Sequence, residues 1–127
     1  MKTKLLLFTL ICFISILGVS AQQGINYKAI INDTDGNLLA NTTITIKFSI
    51  GKASTMAGNT VFKIAYRETH SVPTDSNGIV MVNIGEGEVI SGEFSTINWG
   101  ETPYSLKTEI DKGEGFIDMG ITEFKTV

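Results

Sequence analysis

The chain has 127 residues, ten Lys and Arg against thirteen Asp and Glu, a net charge of −3, and a single cysteine. That balance leaves no basic surface for nucleic acid, and a lone cysteine excludes an internal disulfide and a thiolate metal cluster. The length is enough for one packed core without covalent staples.

The chain opens with "MKTKLLLFTLICFISILGVSAQQG". Lys2 and Lys4 precede an apolar run, Leu5 to Leu17, broken only by Thr9 and Ser15. As a helix this run reaches about 20 Å, short of the ~30 Å hydrocarbon core. Val19 and Ala21 supply the small residues that a signal peptidase requires, so the segment reads as a cleaved secretory signal. The expected organisation is a signal peptide over 1–21 and one domain over 22–127, secreted or held at the cell surface. No membrane span is expected in the mature chain. Leu10 and Ile11 are too bulky to precede a lipidated cysteine, so lipid attachment at Cys12 is not expected.

Beyond the signal, apolar residues recur at every second position, which predicts strands. Ile25, Tyr27, Ala29 and Ile31 share one face of the first. In "TTITIKFSI", Ile44, Ile46, Phe48 and Ile50 alternate with Thr43, Thr45, Lys47 and Ser49, placing Lys47 on the wet face. Phe62, Ile64 and Tyr66 define a third strand, and the same parity carries Glu68 and His70 onto its buried side. Val80, Val82 and Ile84 mark a fourth, and Tyr104, Leu106, Thr108 and Ile110 a fifth. One or two short strands follow near "FIDMG" and "ITEFKTV". The turn sequences "DTDGN", "TDSNG", "GEGE" and "DKGEG" separate these runs, the first of them closing a hairpin. The prediction is an all-β, antiparallel immunoglobulin-like or transthyretin-like β-sandwich, with a small open barrel as its rival. Lys28, Lys47, Lys63 and Lys107 are scattered singly along the strands.

Four groups of residues are candidates for chemistry. Glu68 and His70, the latter the only histidine, pair a carboxylate with an imidazole, the elements of a general base. No nucleophile motif accompanies them, and the expected role is structural, bonding loop backbone near "TDSNG" where the strand ends. Asp33, Asp35 and Asn37 place oxygens at alternate positions like half a calcium loop, but the distal glutamate is missing, which favours a plain turn. In "GEGEVISGE" the glycines suit a phosphate cradle, whereas Glu86, Glu88 and Glu93 repel a phosphate, so a solvated loop is expected. Phe94, Trp99 and Tyr104 suit either sugar stacking or the plugged end of a sandwich, and the core role is expected.

In order and spacing, "QGINYKAIINDTDGNLLANTTITIKFSI", "YRETH", "TDSNGIVMVNIGEG", "SGEFSTINW" and "PYSLKTEID" resemble a known module type. This is the secreted N-terminal β-sandwich module of surface and adhesin-like proteins of Gram-negative bacteria. The resemblance implies an extracellular, non-catalytic part without a cofactor, with Tyr66, Glu68 and His70 as a structural signature. Such modules continue past a glycine like Gly120 into a further strand and a downstream region, whereas here "ITEFKTV" follows. The functional expectation is a surface module of structural or adhesive role, partnered by a protein or glycan. The alternative is a small secreted protein that binds a glycan or calcium.

Overall fold

The computed structural model describes residues 24–100 and 103–124. The predicted signal segment and its cleavage point lie outside the described residues. Seven strands form, β1 (Ile25–Ile30), β2 (Thr43–Met56), β3 (Asn59–Pro73), β4 (Ile79–Ile84), β5 (Glu88–Ser91), β6 (Ser105–Asp111) and β7 (Phe116–Glu123), with a 3-10 turn at Phe94–Thr96. They make two antiparallel sheets, a large one ordered β5-β3-β2-β6-β7 and a small one pairing β1 with β4. This all-β, two-sheet arrangement is consistent with a β-sandwich.

The alternation in sequence becomes the two faces of each sheet. Ile44, Ile46, Phe48 and Ile50 of β2 are buried, as are Leu106 and Ile110 of β6 and Val80, Val82 and Ile84 of β4. Each such side chain contributes about 1.5–3 kcal/mol on burial. Phe48 lies at the centre, meeting Tyr27 of the small sheet edge-on at 4.9 Å between ring centroids.

Several expectations need correction. The turn at 33–37 does not close a hairpin, because β1 pairs with β4 rather than with β2. It instead closes an isolated bridge, Asn32 to Leu38, on the chain's way between the two sheets. The predicted loop at 88–91 is the edge strand β5, whereas "FIDMG" and "ITE" form a strand as expected, the single strand β7. On β3, Phe62 and Ile64 do not share a face with Tyr66. Ile50 pairs with Tyr66 but Gly51 pairs with Ile64, so Ala65 is an extra residue that reverses the parity. Gly51 permits this, since a β-carbon there would strike the Lys63 carbonyl. Beyond the bulge, residues 52–64 continue as a two-stranded arm turning at Ala57 and Gly58, both at positive φ. Lys47 is not simply wet: it lies 3.7 Å from Glu109 and its ammonium sits 4.1 Å from the Phe116 ring centroid.

One device recurs at three turns. The Oδ1 of Asp33 accepts the N–H groups of Asp35 and Asn37, both at 2.9 Å. Asp75 does the same for Asn77 and Ile79, and Asp111 for Gly113 and Gly115. Each carboxylate satisfies the amides of a reversing chain that no strand partner reaches.

Candidate functional site: a carboxylate held by two sheets

Glu68 sits on the inner face of β3 and is fully buried. Four donors surround it. Oε1 accepts the Tyr66 hydroxyl at 2.8 Å and the Gly85 N–H at 2.5 Å. Oε2 accepts the Gly87 N–H at 2.9 Å and a hydrogen from Nε2 of His70. A carboxylate has about four lone-pair positions and no hydrogen to donate, so Nε2 of His70 must carry the proton in this contact. The His70 ring is held by a second contact, edge-on to Phe48 at 5.6 Å.

The "GEGE" run therefore is a cradle for an anion, and the anion is the protein's own. Gly85 and Gly87 lie in the turn between β4 and β5, so Glu68 of the large sheet is bound by backbone that follows the small one. Gly87 has no room for a side chain: a β-carbon would lie 2.6 Å from Nε2 of His70 and 2.7 Å from the Thr69 carbonyl. Glu86 and Glu88 do not disturb the cradle, as backbone amides alone face Glu68 and Glu86 turns to Asn83 at 3.1 Å. Of the pair, Glu68 alone bonds loop backbone, and in the 85–87 turn rather than at "TDSNG"; the His70 ring meets Glu68 and Phe48 instead.

The charge acts on its neighbour. Burial first, then the hydrogen bond and the negative charge of Glu68, hold the Tyr66 phenol well above its ordinary pKa. Tyr27 is also raised by burial, an effect its hydrogen bond to Thr108 partly offsets.

The other candidates separate in space. Asp33, Asp35 and Asn37 adopt the same turn as Asp111, which has glycines at the two alternate positions that follow it, so the turn alone accounts for their geometry. No three His, Cys, Asp or Glu side chains gather as a metal cluster among the described residues. Trp99 is half-buried against the core, edge-on to Phe94, Tyr104 and Phe124 at 6.0, 5.5 and 5.2 Å. Phe94 continues the chain to Tyr66 at 5.5 Å, so this aromatic group adjoins the Glu68 site. The sequence reading missed the joining of Lys52 and Lys63, which face each other across β2 and β3.

Among the described residues, no helix is long and apolar enough to cross a membrane. Neither the curated proteins nor the solved structures yield a match to this chain. The sequence matches a family described as a domain of unknown function (DUF8740) over residues 26–122, a span from β1 into β7 that contains the whole Glu68 cradle. The chain belongs to that family.

Proposed function

We propose that this is a non-catalytic module of the bacterial cell exterior, an immunoglobulin-like or transthyretin-like sandwich with a structural or adhesive role. The carrying observation is the occupancy of Glu68. All four of its acceptor positions are taken by Tyr66, Gly85, Gly87 and His70, so the acid–base pair has no lone pair to offer a substrate proton. Its chemistry is that of a clamp between sheets. The surface supports the adhesive side of the reading. Every residue of β7 is exposed, including Phe116, Ile117, Met119 and Ile121, and Val89 and Ile90 are exposed on β5 at the opposite edge. Edge strands with apolar side chains suit contact with another protein.

The test is binding of the purified mature protein to whole cells of its own bacterium, against the double variant Phe116→Ser/Ile121→Ser. The variant should keep the wild-type circular dichroism and lose most of the cell-bound protein. Equal retention by both proteins, or none by either, would reject the adhesive role.

A further inference from the structure

The β3 bulge has a chemical result. Without Ala65 as an extra residue, Lys52 would face Ile64; with it, Lys52 faces Lys63. Directly opposed side chains stand about 4.5–5.5 Å apart at their β-carbons, and like charges so placed repel. Among the described residues, neither lysine is ion-paired with a carboxylate. They border an open cavity of about 180 Å³ whose remaining walls are Ile64, Ala65 and Tyr104. The Lys52 ammonium lies 5.1 Å from the centre of the Tyr104 ring, and half-buried Trp99 and Phe94 continue the aromatic surface from there. This is a doubly cationic, partly aromatic cavity on a chain whose net charge is −3.

We propose that Lys52 and Lys63, with Tyr104 beside them, bind the carboxylate of an acidic sugar residue, a uronic acid being the simplest case. Two directly opposed lysines that border one cavity relieve their repulsion by sharing an anion, and strand bulges commonly re-aim side chains in this way beside binding sites. The cavity admits a compact anionic group with an apolar or ring-like flank. An extended acidic peptide fits less well, because the chain at Gly92 packs so closely on the Ala65 carbonyl that a β-carbon there would strike it. The strand edge at the bulge is thereby closed to a further backbone. The site deepens the surface-module reading by naming a ligand class. None of the residues that line it belongs to β7, so the two can fail independently.

The test is calorimetric titration of the full mature protein with a trimer of galacturonic acid, a neutral galactose trimer and a hexaglutamate peptide. The galacturonate trimer should bind, with an affinity that falls as salt rises, and the neutral trimer should bind at least tenfold more weakly. Lys63→Glu should abolish that binding by at least tenfold while leaving the melting temperature the same or higher, since it replaces a repulsive cross-strand pair with an attractive one. Lys28→Gln, on the exposed face of β1, should bind as wild type. Undiminished binding by Lys63→Glu, equal binding of the neutral trimer, or no galacturonate binding would overturn the proposal. Preference for hexaglutamate would make the ligand an acidic peptide and overturn it too. Loss of cell binding in the β7 variant leaves this result untouched.

Discussion

Glu68→Gln is the sharpest probe of the clamp, because it changes one atom and keeps the shape. The amide retains one acceptor oxygen and presents an NH2 group to the two donors at the other position. If the NH2 replaces Oε2, His70 can adapt by moving its proton to Nδ1, but the Gly87 N–H has no alternative. If it replaces Oε1, the Tyr66 oxygen can turn to accept, and the Gly85 N–H is orphaned instead. Either way one buried backbone donor loses its partner, at about 1–3 kcal/mol. The two bonds that remain also lose charge assistance, about 1 kcal/mol more. A destabilisation of about 2–4 kcal/mol is therefore expected, a large part of the about 5–15 kcal/mol that holds a small domain together. In urea, a slope of about 1.5 kcal/mol/M turns that into a midpoint lower by roughly 1.3–2.7 M with the slope unchanged. A loss below about 0.5 kcal/mol, the range of an ordinary surface substitution, would refute the clamp.

Gly87→Ala should be at least as damaging, by about 2–4 kcal/mol, since its methyl must displace Glu68, His70 or the Thr69 carbonyl; equilibrium unfolding measures it. Phe48→Ala should cost about 3–5 kcal/mol through loss of a fully buried ring. Lys47→Ala should cost about 0.5–1 kcal/mol, because Lys47 contacts both Glu109 and Phe116; equal losses in the two variants would contradict the assigned faces of β2. The raised phenol of Tyr66 contributes stability that is fully present below the unfolded tyrosine value of about 10 and is lost as pH rises above it. In a spectrophotometric titration, phenolate absorbance should lag that of the unfolded chain and then rise together with unfolding. Ala57→Asn should slow amide exchange in the arm by up to about tenfold, as asparagine tolerates the positive φ better than alanine.

The buried faces of most strands were legible because a two-sheet protein imposes period two on every one of them. Ile44 to Ile50 and Val80 to Ile84 read correctly for that reason. Pairing was not legible: β1 shows the same alternation whether its neighbour is β2 or β4, and only the long-range register decides. The parity of Glu68 with His70 was visible in sequence, but not the carboxylate's other partners. Gly85 and Gly87 act through backbone amides, which carry no residue signature, and the acidic residues between and after them pointed away from anion binding. The available signal was a glycine at every second position after a strand, set against one acid on a buried face. Lys63 looked isolated because a single extra residue, Ala65, sets its meeting with Lys52. Gly51 was the mark of it, a glycine interrupting an otherwise regular strand.

The placement of Glu68 also bears on how the molecule assembles. The β2–β3 hairpin is local in sequence and can pair early, but its carboxylate can leave water only when the turn at 85–87 arrives with its two amides. Covering the hairpin by the small sheet without that turn would strand a bare charge in the core, at several kcal/mol. Partly docked species are thus disfavoured, and the sheets should close in a single event. In kinetic terms, Glu68→Gln should slow refolding if the turn docks in the transition state, and speed unfolding alone if it docks afterwards. A charge that looks like an active-site acid would then act as a gate on folding, admitting only the register in which both sheets meet.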